Sequence, residues 1–135
     1  MLDTNTVSYI VKGISPAARN RLSSIGSGDI ACISSITEAE LWCGLARIGA
    51  SERRRTTLSA SSRARRCFPG AGKKPPSTAR LSCKAGIHRQ PLGPLDTQIV
   101  AHSIAVKAVL VSNDAAFQNA IDLLSLESWA TSLIA

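Results

Sequence analysis

Met1-Leu2-Asp3-Thr4-Asn5 begins the chain, and a related order of residues returns in Val109-Leu110-Val111-Ser112-Asn113-Asp114. In both stretches a short apolar run leads to polar residues and an aspartate, and a helical pattern follows. This order predicts an acidic side chain at the carboxyl end of a buried strand. Open α/β sheets bind their ligands at that edge, so Asp3 and Asp114 are candidate site residues.

Two further carboxylates stand in comparable positions. Asp96 lies in Pro94-Leu95-Asp96-Thr97-Gln98, and Glu40 lies in Ile36-Thr37-Glu38-Ala39-Glu40-Leu41. Carboxylates that converge repel one another, so they are either protonated or neutralised by a cation. Mg²⁺ and Mn²⁺ prefer oxygen ligands, which makes them the expected cations.

Each aspartate also has a purely structural explanation. Asp3, Asp96 and Asp114 all precede or begin predicted helices, where aspartate is a favoured N-cap. Glu38 and Glu40 compete for one place, since residues two apart point to different helix faces. Ser35-x-x-Glu38 and Thr37-x-x-Glu40 both match a capping box. If Ser35 is the cap, Glu38 folds back and Glu40 is left for the site, which is the arrangement we predict.

Apolar periodicity and the breaker residues predict alternating helices and strands. Helices are expected from 4 to 12, from 16 to about 25, from 35 to 49, from 96 to 106 and from 114 to 120. Strands are expected at 1–3, 29–34, 108–112 and within 123–129. Such alternation is typical of an α/β fold with a mostly parallel sheet, and 135 residues fit a single domain, 1–135. His102 is expected to be a buried structural histidine.

The basic charge is concentrated in one segment. The chain has a net charge of +7, yet 11 of its 16 Lys and Arg residues lie between Arg53 and Leu95, where there is no Asp or Glu. Residues 53–90 show neither helical nor strand periodicity, and their composition offers little apolar surface to bury. We interpret this anomalous basic segment as disordered or as translated out of frame. The rival interpretation is a basic arm that binds RNA.

The cysteines and apolar runs bear on the compartment. Cys32, Cys43, Cys67 and Cys83 are scattered without paired spacing, which is typical of free thiols in a reducing cytoplasm. No apolar run approaches the roughly 20 residues of a membrane span, so no membrane partner is expected. A zinc site from Cys67, Cys83 and His88 is disfavoured because the short ligand spacing of zinc fingers is missing.

The four acidic stretches, taken in order, resemble the PIN-domain nucleases, and within them the VapC toxins of bacterial toxin–antitoxin pairs. The resemblance covers roughly residues 1–52 and 90–130. It implies a three-layer α/β/α fold and Asp3, Glu40, Asp96 and Asp114 as the catalytic, metal-binding set. It also implies a Mg²⁺-dependent endoribonuclease (Mn²⁺ being the substitute ion), with an RNA substrate, a cognate antitoxin and a homodimeric state.

The expected chemistry requires no His or Cys nucleophile, since a divalent ion activates water and polarises a phosphodiester. Asp3, Asp96 and Glu40 would bind the ion directly and Asp114 through water. Thr4, Asn5, Ser112 and Asn113 are the candidates for orienting the ligands or water from behind the metal-binding acids. The alternative is a catalytically impaired homologue that only binds the antitoxin or RNA.

Overall fold

A short parallel sheet forms the centre of the molecule in the computed structural model, which describes residues 1–49, 51–63 and 92–129. Leu2 makes parallel bridges to both Ile33 and Val111. Strand β1 (Leu110–Val111) pairs in parallel with strand β2 (Leu126–Glu127), with Leu110 opposite Leu126. The order across the sheet is therefore Ile33, Leu2, β1 and β2, and the predicted parallel sheet is confirmed.

The paired segments are shorter than predicted. The strand expected at 29–34 pairs through Ile33, and Ile30 is 83% exposed. The strand expected at 108–112 is paired as a strand over two residues, and Val109 is 45% exposed. An apolar run therefore marks the position of each strand but overstates its paired length, and residues such as Ile30 and Val109 remain exposed.

Five α-helices and one 3₁₀ helix surround the sheet in the described parts of the chain. They are α1 (Thr4–Lys12), α2 (Pro16–Ser23), α3 (Ser35–Arg47), α4 (Glu52–Arg63), α5 (Pro94–Ala105) and the 3₁₀ helix Ala115–Ala120.

Local signals in the sequence explain where several of these helices begin and end. Ser15 caps α2 by accepting a hydrogen bond from the Ala18 amide, and Pro16 occupies the first helical position. Helix α1 ends at Gly13, whose φ of 72° lies in the left-handed region that glycine adopts without strain.

The N-cap of α3 is Ser34 and not Ser35, so the predicted capping box is wrong by one residue. Ser34 Oγ accepts a hydrogen bond from the Ile36 amide, and Ser35 is already helical. Two adjacent serines both satisfy the chemistry of a cap. Here tertiary contacts decide between them, because Ser34 is fully buried whereas Ser35 is exposed.

Segment 53–90 was expected to be disordered, but its first residues are helical and belong to α4. Arg53, Arg54 and Arg55 are helical but exposed. Thr56 Oγ1 donates to the carbonyl of Glu52, one turn earlier. A helix needs hydrogen bonds and acceptable propensities, and arginine is a good helix former, so the missing apolar period did not exclude one. The rest of 53–90, with Cys67, Cys83 and His88, lies outside the described residues.

Two apolar cores lie on opposite faces of the sheet. Met1, Cys32 and Leu110 belong to the first cluster, and their chain neighbours Leu2, Ile33 and Val111 belong to the second. This alternation is the period of a β-strand. Helix α5 and the 3₁₀ helix contribute Ile99, Val100, Ala101, Phe117 and Ala120 to the first cluster, and α1 contributes Val7 to the second. The arrangement is the expected three-layer α/β/α architecture.

One cysteine departs from the expectation of free thiols. Cys32 is disulfide-bonded, whereas Cys43 is an exposed free thiol. Among the described residues, no helix is long and apolar enough to cross a membrane.

Replacing Phe117 with alanine should lower the free energy of unfolding by about 3–5 kcal/mol. Phe117 is 2% exposed and belongs to the first core cluster, so truncation leaves a cavity that the sheet and α5 cannot fill. Urea denaturation followed by circular dichroism measures the change. Gln118→Ala, at the exposed neighbouring position, is the matched control and should change the free energy by less than about 0.5 kcal/mol. Equal effects of the two substitutions would contradict the assigned core.

Candidate active site

Asp3 lies at the end of the central strand segment and uses both carboxylate oxygens. Its Oδ1 accepts the Thr6 amide at 2.7 Å, which caps α1, and its Oδ2 accepts the Ser112 hydroxyl at 2.5 Å. The side chain is 2% exposed. The structural explanation as an N-cap is thus correct for Asp3. It does not exclude a functional role, since a carboxylate offers about four lone-pair sites.

Glu40 reaches the same region from α3. Its Oε2 accepts a hydrogen bond from Thr4 Oγ1 at 2.5 Å. Thr4 is the first residue of α1 and follows Asp3 directly. The contact therefore holds the Glu40 side chain beside the carboxyl end of the central strand segment.

Asp96 stands in the first turn of α5, where Gly93 and not Asp96 is the N-cap. The structural explanation of Asp96 as a cap is therefore wrong. A Cβ atom on Gly93 would lie 3.2 Å from Asp96 Oδ2, which is tighter than an ordinary van der Waals contact. A side chain at position 93 would therefore crowd the Asp96 carboxylate, and glycine leaves space for it.

Asp114 caps the 3₁₀ helix, so its structural explanation is also correct. Its Oδ1 accepts the Ala116 amide at 2.9 Å. Its own amide donates to Ser112 Oγ at 3.0 Å. Because Ser112 also donates to Asp3, one serine hydroxyl connects the residues that carry two of the carboxylates.

Asp96 interacts electrostatically with the other three carboxylates. Burial raises the pKa of the Asp96 carboxyl above its usual value, and the negative charges of Asp114, Glu40 and Asp3 raise that pKa further, in that order. Each charge belongs to a different part of the fold: the central strand segment, α3, α5 and the start of the 3₁₀ helix. Asp3, Glu40 and Asp114 therefore lie within electrostatic reach of Asp96.

The charge of this cluster has no protein counter-ion in the described part of the chain. The ion pair seen there joins Arg21 to Glu127 and involves none of the four acids. Across residues 1–49, 51–63 and 92–129, no three His, Cys, Asp or Glu side chains are already grouped at metal-ligand spacing. Carboxylate oxygens nevertheless suit Mg²⁺ or Mn²⁺ chemically. Mutual repulsion would hold such side chains apart until a cation arrives.

The four polar residues predicted to orient ligands or water have different surroundings. Thr4 contacts Glu40, and Ser112 contacts Asp3. Asn113 Oδ1 instead accepts the Ser128 hydroxyl at 2.5 Å, and Asn5 is exposed. Thr4 and Ser112 therefore contact the site acids directly, whereas the described contact of Asn113 is made beside β2.

A buried polar pair and an open groove were not anticipated as parts of the site. Ser34 Oγ and His102 Nδ1 lie 2.9 Å apart in a hydrogen bond, which agrees with the predicted buried His102 but adds a link to α3. The groove, of about 610 Å³, lies between α3 and α5 and extends along α3 from Ser35 to Arg47. The sequence contained a signal for the groove, since its α3 lining recurs at helical spacing: Ile36, Glu40, Cys43 and Arg47.

Comparisons with known proteins agree with the fold. The sequence model of the PIN domain family matches residues 1–123. A solved structure of VapBC from Salmonella typhimurium, bound to DNA, contains a chain 26% identical at a TM-score of 0.80, over 96% of this chain and 97% of that one. VapBC2 from Rickettsia felis, bound to a promoter DNA fragment, contains a chain 25% identical at a TM-score of 0.78, with the same coverage of each.

A third similar structure is VapBC-1 from nontypeable Haemophilus influenzae. Its matching chain is 26% identical at a TM-score of 0.73, over 96% of each chain. No curated protein matches the chain.

Asp96→Asn should stabilise the metal-free protein near neutral pH. The raised pKa of Asp96 means that folding favours its protonated form. The resulting stability is present below the usual Asp pKa of about 3.9 and is lost as the pH rises through the raised value. Asparagine avoids that loss, so the variant's advantage in melting temperature should be present at neutral pH and should shrink as the pH falls toward about 4.

Thermal unfolding in EDTA across this pH range measures the effect. Asp122→Asn removes an exposed carboxylate outside the cluster and serves as the control, for which no comparable pH-dependent advantage is expected. An advantage of Asp96→Asn that persists unchanged in acid would contradict the electrostatic assignment.

Thr4→Val should impair the metal binding predicted for Glu40. The substitution removes the hydroxyl that donates to Glu40 Oε2 and keeps the side-chain shape. Loss of an outer-shell partner of a metal ligand typically reduces metal affinity or activity by about 10–100-fold. Thr4→Ser retains the hydroxyl and should stay close to the original protein. Divalent-ion titrations of both variants make the comparison, and equal behaviour of valine and serine would exclude this role.

Proposed function

The chain belongs to the PIN domain family, and on that basis we propose that it is a VapC-type toxin that hydrolyses RNA with the help of divalent metal. The site would consist of Asp3, Glu40, Asp96 and Asp114. The similarity to chains in three VapBC structures, at 25–26% identity and over almost the whole chain, supports the assignment to the VapC type.

The observation that carries the proposal is the convergence of charge on Asp96. Burial raises the pKa of its carboxyl group, and the charges of three other carboxylates raise that pKa further. A fold gains no stability from this arrangement, because like charges that are brought together cost free energy. Perturbed acids at the ligand-binding edge of a parallel sheet support a functional role for the cluster.

Asp3, Glu40 and Asp96 would hold Mg²⁺ or Mn²⁺, and Asp114 would contribute through water. When bound, such an ion supplies polarisation of a phosphodiester and activation of water for attack. The chain itself orients the ligands. Thr4 donates to Glu40, and Ser112 donates to Asp3, so each of these carboxylates has an oxygen held in place by a hydroxyl donor.

The partners follow from the VapC assignment. We propose RNA as the substrate, a cognate antitoxin as the inhibitor and a homodimer as the functional state. An antitoxin partner is supported by the similarity to toxin chains within VapBC complexes. We propose the cytoplasm as the compartment.

A catalytically impaired homologue that only binds the antitoxin or RNA is the competing proposal. The basic segment that would bind RNA in this proposal begins in α4, whose Arg53, Arg54 and Arg55 are exposed. Exposed arginines attract a nucleic-acid backbone in any sequence context, with an affinity that falls as salt increases. Binding alone is therefore not a sufficient test, and cleavage has to be measured.

RNA cleavage by the purified full chain should require both a divalent ion and Asp96. With total RNA and Mg²⁺, we expect fragments whose formation stops in EDTA and falls by more than about 100-fold in Asp96→Asn, since removing a ligand should exceed the effect of an outer-shell change. The matched control Asp122→Asn should cut normally. If folded protein binds RNA but cuts none in Mg²⁺ or Mn²⁺, the impaired homologue is the correct interpretation.

A further inference from the structure

A buried hydrogen bond joins the two helices that carry Glu40 and Asp96. Ser34 Oγ and His102 Nδ1 are 2.9 Å apart, and the two residues are 0% and 7% exposed. Ser34 Oγ also accepts the Ile36 amide as the N-cap of α3. One buried hydroxyl therefore interacts with the first turn of α3 and with the last turn of α5 at the same time.

The two acids lie at similar distances along their helices from this contact. Glu40 is six residues after Ser34, and Asp96 is six residues before His102. At about 1.5 Å per residue, each acid is roughly 9 Å along its helix from the contact. A helix transmits a change of tilt along its length, so movement at the contact would alter the separation of the two carboxylates.

The space between α3 and α5 is open on the side of the acids. The groove described above is lined there by Ile36 and Glu40 of α3 and by Leu95 and Gln98 of α5. Side chains on this side leave a cavity between the helices and do not fill it. The buried polar contact is therefore well placed to fix the angle between the helices where apolar packing does not.

We propose that Ser34 and His102 are positioning residues that set the separation of Glu40 and Asp96 and thereby tune the affinity for divalent metal. This inference rests on the proposed function, because it assumes that these two acids share an ion. It differs from a purely structural role, in which the pair would stabilise the fold without altering the geometry of the carboxylates.

Four substitutions separate the hydrogen bond from its side effects. Ser34→Gly removes the hydroxyl but keeps a residue that is acceptable at an N-cap, and Ser34→Thr keeps the hydroxyl. His102→Leu removes the ring nitrogen, and His102→Asn keeps a polar group near the position of Nδ1. Leu22→Ala is the stability control, because Leu22 packs against the second core cluster and not on the α3–α5 contact.

Titration calorimetry with Mn²⁺ on the purified full chain gives the first readout. Ser34→Gly and His102→Leu should weaken Mn²⁺ binding by about 10–100-fold, the range found for outer-shell partners. Ser34→Thr and His102→Asn should retain most of the affinity. Leu22→Ala should lower the melting temperature and leave the affinity unchanged. The double variant Ser34→Gly/His102→Leu should bind no more weakly than the worse single variant, since both remove the same bond.

Amide chemical shifts of the metal-free protein give the second readout. Ser34→Gly should displace the Glu40 and Asp96 signals, whereas Leu22→Ala should leave them in place. If the original protein binds Mn²⁺ and Ser34→Gly binds it equally well, the inference is overturned and the proposed function is untouched. If the original protein binds no Mn²⁺, the proposed metal-dependent function fails and the tuning of metal affinity fails with it. In that case unmoved Glu40 and Asp96 signals would also exclude the geometric role.

Should His102→Leu not fold, the comparison of Ser34→Gly with Ser34→Thr carries the test.

Discussion

The pairing of Leu2 with strands on both sides is the constraint on which the rest of the structure depends. Leu2 bridges Ile33 and Val111, so the first residues of the chain occupy the middle of the sheet. The Met1 ammonium donates to the Val109 carbonyl at 2.6 Å, and burial lowers the pKa of this amino group. Since Met1 and Leu2 fill opposite cores, this short segment joins both layers and fixes where Asp3 lies.

The site depends on that placement. The negative charges that it brings together lower the stability of the fold. Asp3 follows Leu2 directly, and the other acids arrive from α3, α5 and the 3₁₀ helix. Burial and the charges of these acids disfavour ionisation of Asp96, which is a cost that folding alone does not recover. A divalent ion would offset this repulsion and stabilise the native state through binding. The same repulsion therefore predicts both a less stable metal-free protein and a functional metal site.

Sequence patterns located the elements better than they located their boundaries and contacts. Strand-end aspartates and helical periodicity predicted the α/β order, the parallel sheet and the places of Asp3 and Asp114 after strand segments. They could not choose Ser34 over Ser35 as the cap, because burial from distant residues decides between two chemically equal candidates. They also missed α4, since exposed helices carry no apolar period. The Ser34–His102 contact joins residues 68 apart, and nothing local in the sequence encodes such a pairing.

Crystals soaked in Mn²⁺ would test the central claim most directly, because anomalous scattering locates the ion without assumptions about activity. The account predicts a Mn²⁺ peak at the carboxyl edge of the sheet, in direct contact with an Asp96 oxygen and with at least one of Asp3 and Glu40, and absent from Asp96→Asn crystals. Ordered carboxylates with no peak between them at millimolar Mn²⁺, or a peak held by other residues, would contradict the claim that these four acids form a metal site.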